Sequence, residues 1–370
     1  MRTPIIQFGT SRFLQAHIDL FIHDALENNK AAGYITVVQT TNNIKRAKRL
    51  NYLSKGYLVH IKGYKDQDLI DEKKNITSIL RGLSTSHDWV NIKKIFIEEV
   101  KYVVSNTGDS GFNINNTDSK SEYNQSKSFP GKLLDLLYAR YIENKKPLTI
   151  FPLELIKDNG KELKKIIIHL ANIRKHQNEF ISWLVKDVIW VNSLVDRIVS
   201  ESLEPVGAIA EPYGLWAIEN QPKLTLPCSH KCIFVVPRLE PYERLKLHIL
   251  NLGHTVLADI WKRQNRSLNE TVYEILNDKK IFNYLNNIYY EEVLPVFASK
   301  GLELEAGEYI KTTFKRFKNP FLKHCLKDIA QNHQDKISRR IEEFLQWSNS
   351  LENLTKKHKL QGIVDEKDHF

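Results

Sequence analysis

The hydrophobic pattern of this chain changes character at Pro237, and that change restricts the folds open to it. Before it, short apolar runs recur at Ile5–Phe8, Ile35–Val38, Tyr57–Ile61, Tyr102–Val104, Leu148–Phe151 and Cys232–Val236. Helical periodicity fills Leu133–Ile142, Gly160–Ile173 and Gln177–Val185 between them. Strands alternating with helices predict a mainly parallel sheet. After Pro237 only helical periods occur, over Tyr242–Ile260, Asn269–Asn277, Lys280–Val293, Glu308–Phe314, Phe321–Gln331 and Lys336–Trp347. The expectation is an α/β chain: a Rossmann-like, mainly parallel sheet domain over 1–238, then an all-helical domain over 239–370. With 370 residues, the chain is long enough for two cores. Asn113–Ser128 is rich in Asn, Ser and Lys with almost no apolar residues and is expected as a loop or disordered insertion.

The N-terminus reads as strand, tight turn, helix. Pro4–Phe8 is apolar, Gly9-Thr10-Ser11 breaks the run, and Phe13, Leu14, Ala16, Ile18, Leu20 and Phe21 follow a helix-like pattern. Such a turn presents free N–H groups to a phosphate, with Thr10 or Ser11 as cap. Only Gly9 of the G-x-G-x-x-G fingerprint is present, and Ser11 stands at its second position. No acid follows the second strand; Gln39, Thr40 and Thr41 do, with Lys45 and Arg46 beyond. Either those cations meet a 2′-phosphate or they are solvated helix residues, so NAD is expected with NADP left open.

The second chemical signal is Pro241–Thr255, which holds Lys246, Asn251 and His254 in the spacing K-x4-N-x2-H. At ~100° per residue, Glu243, Lys246, Asn251 and His254 share an arc of roughly 140° on an α-helix. Asn251 and His254 are then about 4.5 Å apart along the axis, and Lys246 about 7.5 Å before Asn251. That is the scale of a small sugar. A lysine desolvated by Leu245, Leu247, Ile249 and Leu250 can act as a base. A carboxamide can donate to a developing oxyanion, and an imidazole can serve a neighbouring hydroxyl. The set suits oxidation of a secondary alcohol, which needs a nicotinamide to take the hydride. The lysine helix is expected to open the second domain and face that cofactor.

In their order along the chain these pieces resemble the mannitol dehydrogenase family of long-chain polyol and sugar-acid dehydrogenases, the uronate-acting branch most of all. The resemblance runs through Gln7–Ala16, Val104–Gly111, Phe129–Leu133, Phe151–Gly160, Asn192–Val199, Ala210–Tyr213, the Lys246 motif and Arg316–Pro320, with Lys336 beyond. It implies an NAD(P)-dependent oxidoreductase that interconverts the alcohol and ketone of a sugar acid of the tagaturonate/altronate or fructuronate/mannonate type. Lys246 matches the general base, Asn251 the oxyanion amide, His254 the substrate-orienting imidazole and Glu243 a proton relay. Asp196 and Arg197 match a substrate-side motif. Gly9, Thr10, Ser11 and Phe13 match the pyrophosphate turn; Thr40, Ser105, Asn106 and Thr107 are further expected cofactor contacts. Arg316, Lys336 and Arg340 are cations open either to a substrate carboxylate or to securing the second domain, with Arg316 and Lys336 expected on the substrate side. Three departures stand out: Leu155 where polyol members carry an oxyanion asparagine, Gln15 where an arginine is usual, and a shorter segment after Lys246. A polyol dehydrogenase and a catalytically idle binder are the alternatives.

Composition narrows the partners. The net charge is +10, but lysines are spread over the whole chain, so no nucleic-acid partner is expected. The densest cluster, Lys356-Lys-His-Lys359, lies in an expected tail. No run reaches the ~18–20 apolar residues of a membrane span. Three cysteines and a start that leads straight into a strand suit a reduced, cytoplasmic protein. Cys228, His230 and Cys232 lack a second ligand cluster, so no metal is expected. Polar residues interrupt most helix faces, which points to a monomer or weak homo-oligomer with a small-molecule sugar acid or polyol as its partner.

Overall fold

The computed structural model describes residues 1–65, 68–108, 110–348 and 358–366, and only the backbone of 44–46. In chain order its strands are β1 Ile5–Phe8, β2 Ile35–Gln39, β3 Tyr57–Lys65, β4 Asp68–Ile76, β5 Ile79–Ser84, β6 Tyr102–Ser105, β7 Leu148–Pro152, β8 Val188–Trp190, β9 Ser193–Asp196, β10 Val199–Ser202, β11 Gly207–Ala210, β12 Leu215–Glu219 and β13 Ile233–Val236. The main sheet runs β5-β2-β1-β6-β7-β8, and every neighbouring pair is parallel. β1 lies between β2 and β6, so Phe8 is in register with Val38 and Ser105. Three strand ends that the sequence assigns to a cofactor therefore stand side by side. Order reverses at β1, the switch point where open α/β sheets bind ligands. A second sheet runs β10-β11-β3-β4 and a third β13-β12-β9.

The chain divides into two compact units. The first comprises Met1–Ile61, Glu72–Ala210 and Gly214–Leu239. The second comprises Lys62–Asp71, Glu211–Tyr213 and Glu240–Phe370. In the first, helices Trp89–Glu98, Phe129–Glu143, Asn159–Ile173 and Asn178–Lys186 bury Phe96, Leu133, Leu137, Ile167 and Phe180 against Ile6, Phe8, Val38 and Ile150 of the main sheet. In the second, a helical core gathers Ile249, Leu252, Val256, Tyr289, Val293, Phe297, Ile310, Ile341 and Phe344. Each buried aliphatic side chain stabilises by about 1.5–3 kcal/mol relative to exposure.

Several expectations are corrected. The helix after Gly9 does not run through to Phe21; it breaks between Arg12–Gln15 and Ile18–Glu27. Arg197 Nη1 donates to the Ala16 carbonyl at 2.7 Å and His17 Nε2 bonds the Leu215 carbonyl at 2.9 Å. Long-range partners thus outcompete local periodicity there. Asn113–Ser128 is irregular but anchored: Asp118 is buried, its carboxylate accepts from Asn115 N and Ser128 N, and its carbonyl accepts from Arg174 Nε. Lys356 and Lys357 lie outside the described residues, whereas His358–Asp365 is a helix, not a tail, with Leu360 and Ile363 buried. Buried Glu292 accepts from the N–H groups of Lys359 and Leu360, satisfying two donors at that helix start. Within Phe321–Gln331, only Leu326–Ile329 is helical. β4, β5 and β8 to β12 do not stand out in the apolar pattern, since β4 is mostly exposed and β8 to β12 are short.

Candidate active site

In the first unit, the turn after β1 is built around one glycine. Gly9 has φ +126°, and a β-carbon there would lie 2.5 Å from the Asn106 carbonyl oxygen and 2.9 Å from Leu14 Cδ1. Only glycine lets the β1 and β6 ends approach so closely. Ser11 caps the short helix, its Oγ accepting from Leu14 N at 3.3 Å. The N–H groups of Thr10, Ser11, Arg12 and Phe13 donate to no described residue, which leaves a run of amides for an anion. Gln15, the departure from arginine, is buried and ties the turn down: Nε2 donates to the Thr10 carbonyl at 3.2 Å and Oε1 accepts from Gly207 N at 2.9 Å. Phe13 stacks on His17 at 4.8 Å. Burial pushes His17 down to about 3, so its ring is neutral and Nε2–H donates to Leu215.

The β6 end is held by a residue that the sequence pattern did not single out. Glu154 accepts from Ser105 Oγ, Thr107 N and Thr107 Oγ1, each at 3.0 Å. Burial pushes its carboxyl up, against the pull of those donors. Asn106 Nδ2 donates to the Leu153 carbonyl at 2.8 Å. At the β2 end, the Thr40 carbonyl accepts from Thr85 Oγ1, Gln125 Nε2 and Lys132 Nζ. Lys132, buried and pushed down to about 8 by desolvation, also donates to the carbonyls of Gln125 and Lys127. The side chains of Lys45 and Arg46 lie outside the described residues. Asp196 ends β9, buried and paired in register with Leu215. Arg197 lies over Phe21 and bonds Ala16, so at least one of its roles is to hold the helix break. Leu155 is 68% exposed.

In the second unit, Lys246, Asn251 and His254 sit on one unbroken helical run, but not on an ideal α-helix. Glu240–Leu245 is α-helical, Lys246–Asn251 is a π turn, and Leu252–Arg263 is α-helical again. This corrects the 100° spacing. A π turn closes i→i+5 bonds, so Lys246 and Asn251, its first and last residues, are separated by little more than one wide turn. The carbonyls this geometry displaces are taken up elsewhere. Tyr289 Oη donates to the Ile249 carbonyl at 2.8 Å. The Asn251 carbonyl accepts from Thr255 Oγ1 at 3.0 Å and Arg340 Nη1 at 3.3 Å. A β-carbon on Gly253 would come within 1.9 Å of that same Tyr289 oxygen. No sequence signal marks Tyr289.

Lys246, Glu243 and Asn251 are half-buried, and the Asn251 carboxamide has no hydrogen-bond partner among the described residues. His254 is buried between Phe317, 4.5 Å away, and His324, 4.7 Å away, and its Nε2 is sealed without a partner. Desolvation first, then the positive neighbours His324, Arg340, Arg316 and Lys336, hold its pKa well below the usual value. The ring is neutral at neutral pH and has an unused nitrogen. Arg316 is engaged: its guanidinium forms a buried fork with Glu211 at 2.8–3.1 Å and lies over Tyr213. Lys336 Nζ donates to the Ile329 carbonyl at 2.8 Å. Among the described residues, one cluster has cation-ligand spacing, His23, Asp24 and Glu27, and Asp24 is already bonded to Lys74 at 2.7 Å.

Comparison with known proteins agrees across nearly the whole chain. Residues 3–227 match the mannitol dehydrogenase Rossmann domain and residues 238–364 the mannitol dehydrogenase C-terminal domain. Altronate oxidoreductase of Bacillus subtilis (strain 168) is 30% identical over 359 residues, covering 91% of this chain and 73% of that protein. Altronate oxidoreductase of Bacteroides thetaiotaomicron is 28% identical over 359 residues, covering 91% and 74%. Among solved structures, substrate-free D-sorbitol dehydrogenase superposes with a TM-score of 0.79 at 20% identity, covering 93% of this chain and 76% of that one. Mannitol 2-dehydrogenase of Pseudomonas fluorescens, in ternary complex with NAD and D-mannitol, gives 0.72 at 18% identity, covering 98% and 84%.

Proposed function

We propose, from the premise that this chain belongs to the mannitol dehydrogenase family and is a dehydrogenase acting on CH–OH groups, that its substrate is a sugar acid of the altronate type. The observation that carries the reading is the Lys246–His254 run: a half-buried lysine, an uncommitted carboxamide and a buried imidazole with an unused nitrogen, all on one helical segment. Exposed, apolar Leu155 supports a sugar acid over a polyol, because polyol members place an oxyanion donor there.

A nicotinamide dinucleotide, NAD or NADP, supplies the hydride acceptor when bound. The residues present fit it: four free amides follow β1, Gly9 keeps that turn clear of a side chain, and the β6 end is fixed by Glu154. Lys246, in its neutral form, takes the proton of the reacting hydroxyl. Asn251 Nδ2 donates to the oxygen as negative charge builds on it. His254 offers Nδ1, the ring nitrogen that is not sealed, to a neighbouring hydroxyl, donating or accepting according to tautomer. Glu243 lies three residues before Lys246 and passes the proton towards solvent. In reduction protonated Lys246 acts as the acid. The test is turnover of altronate with NAD and with NADP, in the native chain and in Lys246→Ala. Turnover that survives unchanged in Lys246→Ala would falsify the assignment of the base.

A further inference from the structure

Among the described residues, the second unit holds two cations without an acidic partner, Lys336 and Arg340, near the Asn251–Thr255 stretch. Lys336 and Arg340 are four residues apart on the helical run His333–Ser348. Arg340 lies in its π turn Ser338–Glu342, where four residues make just under one turn. The two therefore stay on about the same side, near enough for Arg340 to lower the Lys336 pKa. Arg340 uses one nitrogen, Nη1, which donates to the Asn251 carbonyl at 3.3 Å and Thr255 Oγ1 at 3.1 Å. Its Nε and Nη2 have no partner among the described residues, yet they are not among the sealed unpartnered atoms, so a ligand can reach them. Lys336 Nζ makes one bond, to the Ile329 carbonyl at 2.8 Å. Neither side chain has a carboxylate within 4.0 Å among the described residues, although both are half-buried. The contrast with neighbouring cations is sharp: Arg316 is matched by Glu211, and Arg263 by Asp259.

Partly buried positive charge without a counter-charge is costly, and proteins rarely leave it unmatched. His254, adjacent to Thr255, feels the positive charge of both Arg340 and Lys336, which places it in the same neighbourhood. Desolvation depresses Arg340 to about 10 and lowers Lys336, with further positive charge adding to both. An arriving anion would relieve that penalty.

We infer that Lys336 and Arg340 form the subsite for the substrate's carboxylate, next to Asn251 and His254. The inference rests on the reading of this chain as a sugar-acid dehydrogenase and assigns its acid specificity to two side chains. Arg340 presents a fork suited to a carboxylate, and Lys336 adds a point charge one helical turn away. Arg316, with its fork filled by Glu211, is assigned to structure instead.

The experiment measures KM and kcat for altronate, and for altritol, which carries CH2OH in place of the carboxylate. The proteins compared are the native chain, Lys336→Gln, Arg340→Gln and Arg340→Lys. Losing one charge-assisted contact is expected to raise KM for altronate about 10- to 150-fold, with kcat much less affected. Arg340→Lys keeps the charge and recovers part of the loss. Added guanidinium ion is expected to restore altronate turnover in Arg340→Gln, a rescue that a merely structural arginine would not show. Preference for altronate over altritol is expected to collapse in both Gln variants; where altritol is not turned over, its competitive inhibition constant gives the same comparison. A native enzyme inactive on altronate and every other sugar acid removes the reading beneath the inference. A native enzyme active on altronate, with Gln variants that keep its KM or lose kcat alone without guanidinium rescue, overturns the subsite.

Discussion

Replacing Gly253 with alanine should destabilise the second unit, against the rule that Ala is favoured over Gly in a helix. The rule alone predicts a gain of about 1 kcal/mol. In the structure the new methyl would meet Tyr289 Oη at 1.9 Å, Tyr289 Cζ at 3.0 Å and Phe317 Cε2 at 3.1 Å. Tyr289 is fully buried and packs edge-on against Phe314, so its rigid ring has little room to retreat. Overpacking of this kind costs about 1–3 kcal/mol. Moving the ring also breaks the bond to the Ile249 carbonyl, and leaving such a group unpaired costs about 1–3 kcal/mol. Less the helix gain of about 1 kcal/mol, the sum is a net loss of about 1–5 kcal/mol, with a mid-range value of about 3 kcal/mol, roughly 150-fold in the folding equilibrium. Urea unfolding followed by tryptophan fluorescence and circular dichroism measures it. Tyr289→Phe removes the clashing oxygen, so Gly253→Ala/Tyr289→Phe should cost about 1 kcal/mol less than the two single variants added together. Gly253→Ala should also lower kcat, because Ile249 lies inside the π turn between Lys246 and Asn251. A Gly253→Ala protein at least as stable as the native one, or strictly additive costs, would refute this packing argument.

Other outcomes follow from the same packing and burial. Asp19 is buried, bonded by Tyr57 Oη at 2.8 Å, and its Oδ1 and the nearby Gln7 Oε1 both lack a donor. Desolvation raises its pKa from 3.8 to about 7, so between those values the folded state holds a proton that the unfolded state has lost. Stability is therefore greatest below pH ~4 for this group and falls by about 4 kcal/mol as pH rises through 7. Asp19→Asn supplies the missing donor at every pH; thermal melts of the variant should lose this slope and exceed the native midpoint at pH 8, and a native-like slope would exclude Asp19 as its source. Gly9→Ala drives a methyl towards the Asn106 carbonyl, 2.5 Å away, and should weaken nicotinamide dinucleotide binding at least about tenfold by fluorescence titration. Unchanged affinity there would separate this turn from the cofactor.

The parallel sheet was legible because its core strands are short apolar runs with helices between them. β1 and β6 appear almost residue for residue, since Ile5–Phe8 and Tyr102–Ser105 are buried along their whole length. β4 was not, because its residues are mostly solvated and carry no apolar alternation. The break at His17 was hidden for another reason: the residues that cause it, Arg197 and Leu215, are remote in sequence. The K-x4-N-x2-H spacing is visible in the sequence, but an α-helical geometry misplaces its side chains, because a π turn leaves no mark in local composition. Glu154 lies within a recognisable motif, yet its hold on Ser105 and Thr107 arises only when the fold brings β6 and the β7 end together. The distinction between Arg316 and Arg340 likewise depends on one remote carboxylate, Glu211.

The most direct test is the rate of nicotinamide reduction with altronate, measured for the native chain and for Lys246→Ala at saturating cofactor. The proposed mechanism predicts turnover in the native protein and a loss of about 10²- to 10⁴-fold in kcat for the variant, with cofactor affinity nearly unchanged. Equal turnover in the two proteins would contradict it.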